Sequence, residues 1–468
     1  MVAGYPRDSG KAAMARGAAK SSVLVRRLLE KPDAYAAAGL LAAGADVASD
    51  RLLHMALPDR ATALVFAGLP ISPASLLAEL GFWSDSAIQR RLAGNPATPE
   101  PVIARLLDSG PEPGLGSLLA AHPRTPAAAL PRLIADGNRA TQCAAAGHAQ
   151  APEELLLGLA ETADPAVLRA LVARPDLGPA LVARIWSRGD RHVRADVLRS
   201  TACPGQLLSA AAHAPFALWR RRVAAHPALA DNIRQRLIRD PDATVRAAVV
   251  EAPTTPVAWL HPLLQDPAQR VRHALARRRD LPASWLDSLA RQPGRWLHRW
   301  VARNPRCPRE MLERLAQASA ADVRRAVSRN PASSPFMLAR LAADGEAWVR
   351  AGAAGRTDLY PSVLSRLAND SDTDVLTAVA ANPTTPESVL TALARHDDRD
   401  VRRAVAQNPR ASAAVLEQLV TDPYPLNRFV VSQARILSAG ALELLAEDPE
   451  PRIRFVAWKR LGKLAAAH

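Results

Sequence analysis

The chain has 468 residues, of which 49% are hydrophobic, 22% are charged and only 4% are aromatic. This balance is typical of a folded protein and excludes a disordered chain, while the net charge of +15 at pH 7 indicates an anionic partner: nucleic acid, a membrane surface or an acidic protein. The three cysteines are far apart and form no CxxC or CxxH pattern, so we expect no disulfide framework, no metal site and no cofactor.

The first 20 residues precede the regular part of the sequence. They include basic residues but lack the apolar segment of a signal peptide, and no run of 18 or more apolar residues occurs in the chain. We therefore expect an N-terminal tail at residues 1–20, no membrane contact, and a cytoplasmic protein.

The remainder of the chain repeats with a period of 26 residues. Prolines at equivalent positions are separated by multiples of this period: Pro123, Pro175, Pro227, Pro253, Pro305, Pro331, Pro383 and Pro409. The period predicts a single solenoid over residues 21–468 that contains about seventeen repeats, with degenerate capping repeats at about 21–94 and 422–468.

Residues 382–408 show how one repeat is built from two short helices, here called the A helix and the B helix. In the A segment, TPESVLTALA, we expect Thr385 to cap the helix and Pro386 to occupy its first position, where a missing N–H is tolerated. In the B segment, DVRRAVAQ, apolar residues recur at the spacing of one helical face. Asn408 ends this helix, because the residue before a proline disfavours the α conformation.

Two apolar columns recur through the repeats and predict the core. The A helices contribute an unbroken leucine column: Leu237, Leu263, Leu289, Leu315, Leu341, Leu367, Leu393, Leu419 and Leu445. The B helices contribute a second column: Val193, Trp219, Val245, Val271, Leu297, Val323, Val349, Val375 and Val401. Helices this short are unstable alone in water and must stack on their neighbours, so the predicted fold class is all-α, an α–α superhelical solenoid.

The pattern DxDxxVRRAVAxNPxTPxxVLxxLA resembles the repeats of bacterial variant leucine-rich repeat proteins and, more distantly, HEAT repeats. The resemblance covers about residues 18–468 and is most specific from 236 to 420. It implies a HEAT-like helical solenoid in which one helix of each repeat is a 3₁₀-helix. A member of that family carries a cysteine-rich iron–sulfur segment before its repeats, but this chain has no cysteine before Cys143, so the resemblance does not extend to that cofactor.

Polar columns accompany the apolar ones. An arginine column follows the B-helix valines: Arg194, Arg220, Arg246, Arg272, Arg324, Arg350, Arg402, Arg428 and Arg454. Aspartates recur six residues before it: Asp240, Asp266, Asp344, Asp370, Asp422 and Asp448. We expect an Arg–Asp network between repeats, a structural ladder, although an arginine stripe is also compatible with phosphate contacts.

A column of Asn and His residues lies at the turns: Asn95, His122, His148, His226, Asn304, Asn330, Asn382 and Asn408. One polar side chain at each turn is suited to capping backbone groups. We therefore expect a structural role for these histidines rather than metal binding or catalysis.

The positive charge is concentrated between residues 270 and 330. This segment contains fifteen arginines and five acidic residues, a balance of +10, although a genome rich in G and C would also raise the arginine content. Trp296 and Trp348 share a column with the polar residues Thr244, Arg270, Asp322, Asp374 and Asp400. We therefore expect the partner-binding residues to be Arg295, Trp296, Arg299, Arg325 and Trp348. The alternative is that each tryptophan folds back over a neighbouring loop.

The sequence contains no Gly-rich phosphate loop, no HExxH and no GxSxG. We therefore expect a non-enzymatic protein–protein interaction scaffold whose basic, Trp-containing surface near residues 270–350 binds an acidic protein partner. The alternative is a nucleic-acid-binding helical-repeat protein with a HEAT-like basic groove. A third possibility, a HEAT-like DNA-repair glycosylase, needs an acidic residue among aromatics, and Asp280 or Asp287 near Trp285 is the candidate.

Overall fold

A computed structural model describes residues 33–44, 59–109, 114–135 and 138–467, together with Leu24, Leu52 and Met55. The regular structure is helical, and no strand occurs among these residues. The all-α solenoid fold predicted from the 26-residue period is therefore confirmed. The predicted tail at residues 1–20 lies outside the described residues, and the assignment of 21–468 to one solenoid with degenerate capping repeats stays a prediction.

The A and B helices alternate along the described chain. The A helices are Ala74–Leu80, Glu100–Asp108, Leu130–Ile134, Glu153–Glu161, Pro179–Arg188, Gly205–Ala212, Asp231–Leu237, Val257–Gln265, Ala283–Ala290, Arg309–Leu315, Pro335–Leu341, Pro361–Leu367, Glu387–Leu393, Ala413–Glu417 and Ala439–Ala446. The B helices are Ala34–Ala42, Arg60–Ala67, Ser86–Ala93, Leu115–Ala121, Arg139–Gly147, Pro165–Val172, Arg191–Val197, Ala217–Ala224, Ala243–Glu251, Gln269–Arg277, Arg295–Arg303, Ala321–Ser328, Ala347–Ala354, Thr373–Ala381, Arg399–Gln407, Pro425–Gln433 and Pro451–Ala467.

Two segments of the described chain are 3₁₀-helical: Ala127–Ala129 and the whole A helix Val257–Gln265. The 3₁₀ geometry that the family resemblance implies for one helix of every repeat is therefore wrong for most of this chain, where both helices are α-helical. In Val257–Gln265, Pro262 lies inside the helix and lacks the N–H that an α-helical hydrogen bond requires. A shorter hydrogen-bond pattern is favoured there as a result.

The start of the A helix differs from its prediction. The helix Glu387–Leu393 begins after Pro386, and Thr385 does not cap it. The hydroxyl of Thr385 donates instead to the carbonyl of Val379 near the end of the preceding B helix, 2.6 Å away. The same bond recurs in other repeats, from Thr98 to Leu92, from Thr125 to Leu119 and from Thr255 to Val249. These threonines therefore supply a side-chain donor to carbonyls in the last turns of the preceding helix, three of which also accept a backbone N–H.

Both predicted apolar columns form the core. Every leucine of the A-helix column from Leu237 to Leu445 is buried, and so is the B-helix column from Val193 to Val401 except at Trp219, which is half-buried. The core of each repeat thus lies between its A and B helices. Side chains on the opposite side of the B helices are left facing solvent.

The Asn and His column connects each turn to the previous repeat. Asn382 donates from Nδ2 to the carbonyls of Ala354 and Arg356, at 2.6 and 2.8 Å. Its Oδ1 accepts from the N–H of Thr384. His148 bonds to equivalent backbone groups through its two ring nitrogens. The predicted capping role is confirmed, because these side chains satisfy backbone groups that the stacking of repeats buries.

Arg–Asp pairs join consecutive repeats. Arg324 donates from Nε and Nη2 to the two carboxylate oxygens of Asp344, at 2.7 and 2.8 Å, and from Nη1 to the carbonyl of Ala318 at 2.9 Å. Four further pairs have this geometry: Arg220–Asp240, Arg246–Asp266, Arg350–Asp370 and Arg428–Asp448. These guanidinium groups therefore face carboxylate and backbone acceptors rather than solvent.

Arg272 differs from these five arginines in its partners. Arg272 donates to the carbonyls of Asp266 and Pro267, and the position that would hold its aspartate is occupied by Gln292. Arg402 donates to the carbonyls of His396 and Asp397, at 2.8 and 2.7 Å. The contacts to the preceding turn are thus the common feature of the column, and the ion pair is added where an aspartate follows.

The chain divides into two compact units, Met1–Leu155 with Ala411–His468, and Leu156–Arg410. Within each unit neighbouring B helices pack side by side, whereas neighbouring A helices scarcely touch. Helices that pack more closely lie on the inner side of a curved stack, so the B helices form the inner side of each unit.

In the first unit the last B helix packs against the first described one. Nε of Arg454 donates to Oδ2 of Asp33 at 2.7 Å. The backbone of Gly39 approaches so closely that an added Cβ would lie 2.5 Å from the carbonyl oxygen of Phe455. An added Cβ at Gly462 would lie 2.8 Å from the Cβ of Ala43, which follows the first described B helix. That helix thus occupies the place, beside the last B helix, that a following repeat would take.

Candidate interaction surface

Four consecutive B helices of the second unit carry the basic segment: Gln269–Arg277, Arg295–Arg303, Ala321–Ser328 and Ala347–Ala354. Each packs against the next, and the apolar side of each is buried in the core. The opposite side is here called the basic face. It carries Arg270, Arg277, Arg295, Trp296, Arg299, Trp300, Arg303, Arg325, Arg329 and Trp348.

Trp296 is a large exposed aromatic side chain on the basic face, with 51% of its surface accessible. Arg295 and Arg299 flank its ring, with their guanidinium carbons 5.4 and 5.3 Å from the ring centre. Cations at this distance are attracted to the electron-rich face of the indole and hold the ring in place. The ring therefore offers a partner a fixed apolar surface with positive charge on both sides.

Trp348 is half-buried on the same face. Its indole N–H donates to the carboxylate of Glu346 at 3.2 Å, and its ring centre lies 5.3 Å from the guanidinium carbon of Arg325. Gly352 permits this approach of the two helices, because a Cβ there would collide with the hydroxyl of Ser328. The five residues proposed from the sequence thus lie on one face, in two neighbouring groups of tryptophan and arginine.

A cavity of about 430 Å³ opens on the basic face, here called the arginine pocket. It is lined by Arg295, Arg299, Arg303, Asp322, Arg325, Ala326, Arg329 and Trp348. Nε of Arg295 donates to Oδ2 of Asp322 at 3.0 Å, so the one acidic lining residue is already paired. The other four arginines form no ion pair with any residue that the structure describes.

The arginine pocket concentrates positive charge that its own side chains do not balance. Burial, together with the charges of Arg325 and Arg303, lowers the pKa of Arg329 below its ordinary value. Nε of Arg325 is buried and has no hydrogen-bond partner among the described residues. An anion that bound between these groups would interact favourably with several guanidiniums at once.

The prediction from sequence includes three arginines of this pocket and misses Arg303 and Arg329. These two continue, at 26-residue intervals, a column that begins at Arg277. The signal was therefore present in the repeat pattern. The repeat pattern does not distinguish them from other surface arginines. The structure does, because both line the same cavity.

The basic face continues toward lower residue numbers. Trp300 lies between Arg277 and Arg303, with its ring centre 5.1 and 5.3 Å from their guanidinium carbons. A cavity of about 480 Å³ follows, lined in part by Arg270 and His273. Burial lowers the pKa of His273, so this ring is neutral at pH 7 and the positive charge of the cavity comes from its arginines.

The carboxylates considered for a glycosylase are bound by arginines. Asp280 accepts a hydrogen bond from Nε of Arg278 at 2.8 Å, and this bond lowers the pKa of Asp280. Asp287 accepts from Nε of Arg291 at 2.8 Å. A general base is expected to have a pKa close to the working pH, which the pairing of Asp280 with Arg278 opposes. The glycosylase possibility gains no support from this geometry.

The cysteines and the other potential metal ligands give no sign of a reactive centre in the part of the chain that the structure describes. Burial raises the pKa of Cys203 to about 11 and that of Cys307 to about 12, so both thiols are protonated and unreactive at pH 7. The described residues contain no cluster of His, Cys, Asp or Glu arranged to hold a metal ion. None of the described helices combines the length and the apolar character needed to cross a bilayer.

Three comparisons with known proteins bear on the type of repeat. A family model described as leucine rich repeat variant matches residues 399–423, which begin with the B helix Arg399–Gln407. A solved structure titled "a leucine-rich repeat variant with a novel repetitive protein structural motif" is 27% identical, with 47% of this chain and 87% of that chain covered and a TM-score of 0.34. A search of curated proteins gives no match.

Proposed function

We propose that this helical-repeat chain, which matches the leucine rich repeat variant model over residues 399–423, is a non-enzymatic scaffold whose basic face binds an acidic segment of a protein partner. The observation that carries the proposal is the exposed ring of Trp296 between Arg295 and Arg299, next to the arginine pocket. Helical-repeat folds of this kind are typical of interaction scaffolds, which bind through an extended surface.

The chemistry of the basic face suits carboxylates. A guanidinium group presents two parallel N–H donors that match the two oxygens of an Asp or Glu side chain. Trp296 and Arg299 belong to the residue types that dominate binding energy when they lie near the centre of an interface. Arginines that already pack on tryptophan rings also lose less conformational entropy when a partner binds.

Acidic residues beside the basic face favour a protein partner over a nucleic acid. Glu251 and Asp280 line a cavity of about 600 Å³ together with Arg277 and Arg306. Glu251 and Asp280 are paired with Arg277 and Arg278, so a phosphate backbone would have to compete with these carboxylates for the arginines, whereas a protein surface can also supply hydrogen-bond donors to them.

The test is the affinity of a fluorescently labelled poly-glutamate peptide for the wild-type protein and for a variant that combines Trp296→Ala with Arg299→Glu. We expect the variant to bind at least about tenfold more weakly, because a central interface residue contributes about 2 kcal/mol or more. Fluorescence anisotropy measures the affinity, and circular dichroism checks that the helical content is unchanged.

Arg366→Glu is the control for the change in net charge, because Arg366 is exposed on an A helix rather than on the basic face. We expect its affinity for the peptide to stay close to that of the wild type. If the control and the double variant bind the peptide equally well, the basic face is not the binding surface.

A nucleic-acid-binding scaffold is the second candidate function. The row of arginine-lined cavities and the exposed Trp296 favour it, since single-stranded nucleic acids bind to basic grooves with aromatic side chains on which bases stack. It differs from the first proposal in that binding would show the steep salt dependence of counterion release.

A further inference from the structure

We propose that the arginine pocket recognises a phosphoryl group, presented as a phosphorylated serine or threonine side chain of the protein partner. The inference rests on the proposed function, because it assumes that a protein docks on the basic face. It adds the identity of the group that enters the pocket.

The charge of the pocket is the first argument. Arg299, Arg303, Arg325 and Arg329 line one cavity and have no carboxylate partner among the described residues. An Asp or Glu side chain brings a single negative charge and two acceptor oxygens. A phosphate monoester brings a charge of about −1.5 to −2 at pH 7 and three strong acceptor oxygens, so it balances this cluster more completely.

The distribution of charge around the pocket favours a phosphorylated side chain over a nucleic-acid backbone. Each phosphodiester carries one negative charge, and a strand needs a continuous basic track to bind successive phosphates. The next B helix presents Asp374 at the position equivalent to Trp348, and Asp322 interrupts the pocket itself. The basic face therefore ends at Asp374, so a strand bound at the pocket would find no further basic track on that side.

The floor of the pocket provides the space. Ala326 lines the cavity, whereas the equivalent position one repeat earlier holds Trp300, and the residue one repeat later is Gly352. A large side chain at this position would occupy the volume between the arginines. The small residues thus leave room for a tetrahedral group that an arginine-rich surface alone would not provide.

Three of the four arginines are held before any ligand binds. Arg299 packs on Trp296, Arg303 on Trp300 and Arg325 on Trp348, each with 5.3 Å between guanidinium carbon and ring centre. Donors that are already positioned give up little conformational entropy on binding, which strengthens recognition of a small anion.

The experiment compares two labelled peptides of alternating Glu and Gly, one with a central phosphoserine and the other with serine at that position. We expect the wild-type protein to bind the phosphorylated peptide at least about tenfold more tightly at physiological salt, as measured by fluorescence anisotropy. This ratio of affinities isolates the phosphoryl group from the general attraction of an acidic peptide to the basic face.

Two variants test whether the preference for the phosphorylated peptide arises in the arginine pocket. Arg303→Ala with Arg329→Ala removes two donors, and Ala326→Leu fills the cavity without changing the charge; both should reduce the ratio of affinities to about one. Arg340→Ala with Arg366→Ala is the matched control, because it removes two exposed arginines from A helices and should leave the ratio unchanged. Circular dichroism verifies the fold of each variant, and if the double arginine variant does not fold, Ala326→Leu decides the matter.

Equal affinity of the wild-type protein for the two peptides would overturn the inference, and so would a ratio that survives in both pocket variants. If the serine peptide binds to the basic face and phosphorylation adds nothing, the scaffold proposal stands while the phosphoryl site fails. If neither peptide binds, both proposals fail.

Discussion

Asp344 shows how a single residue of the Arg–Asp pairs contributes to stability. Only 8% of its side chain is exposed, and Arg324 binds both carboxylate oxygens. This hydrogen bonding favours the ionised form and lowers the pKa of Asp344. A carboxyl group whose pKa is lowered in the folded state stabilises the protein above its unfolded pKa of about 3.9, and that contribution is lost as the pH falls below this value.

We therefore expect Asp344→Asn to lower the melting temperature at pH 7, with a difference from the wild type that shrinks below about pH 4. Thermal melts followed by circular dichroism between about pH 7 and pH 3 measure this difference. Asp374→Asn serves as the control, because Asp374 is exposed and should have little effect at any pH. An Asp344→Asn effect that is the same at both ends of the range would contradict the role assigned to the pair.

For single residues, the sequence predicts which residue types recur at equivalent positions better than it predicts which atoms their side chains contact. The period places an arginine in nine of the eleven repeats from Arg194 to Arg454 and an aspartate in six of the nine from Asp240 to Asp448, so a network between repeats can be expected from spacing alone. Thr385 is different, since a threonine before a proline can cap the following helix or bond to the preceding one. The choice depends on which backbone group lacks a partner nearby, and that is settled only when the helices are packed.

Among the helices, the contact between the last B helix and the first described one gives the sharpest prediction. An added Cβ at Gly39 would lie 2.5 Å from the carbonyl oxygen of Phe455 and 2.9 Å from the amide nitrogen of Lys459. Both are backbone atoms, so the helices would have to separate. We expect Gly39→Ala to destabilise the first unit by about 1–3 kcal/mol, measured by chemical denaturation and by amide hydrogen exchange in Ala34–Ala42.

Gly158→Ala is the control for this substitution. Gly158 lies inside the A helix Glu153–Glu161, and an added Cβ there would meet nothing within 4 Å. Alanine has the higher helix propensity, so stability should be unchanged or rise by up to about 1 kcal/mol. If the two variants are equally stable, the close approach at Gly39 is not a feature of the folded protein.

Contacts between helices of different repeats cannot be predicted from the sequence pattern of a single repeat. The A and B helices, their buried columns and the end of each B helix follow from apolar spacing and proline placement. The pairing of Arg325 with Trp348 does not, because it depends on the close approach that Gly352 permits between two B helices. The contact of Ala34–Ala42 with Pro451–Ala467 joins segments far apart in sequence, and no 26-residue pattern encodes it.

For the whole molecule, the sequence predicts that positive charge is concentrated in one segment, and the structure shows which arginines of that segment lie on the surface. Fifteen arginines between residues 270 and 330 predict a basic surface. The structure divides them: Arg272 and Arg324 contact backbone or carboxylate acceptors between repeats, while Arg299 and Arg303 face outward beside tryptophan rings. The basic face thus includes only some of the arginines of residues 270–330. Variants that test binding should change those arginines and not the ones that contact acceptors between repeats.

The measurement that tests the central claim most directly compares a labelled poly-glutamate peptide with random duplex DNA as ligands for the wild-type protein, from about 50 to 200 mM salt. A basic face built for a protein partner predicts that the peptide remains bound at the higher salt and binds more tightly than the DNA, whose affinity falls by orders of magnitude over this range. DNA that binds more tightly than the peptide and stays bound at 200 mM salt would contradict the account and favour the nucleic-acid-binding alternative.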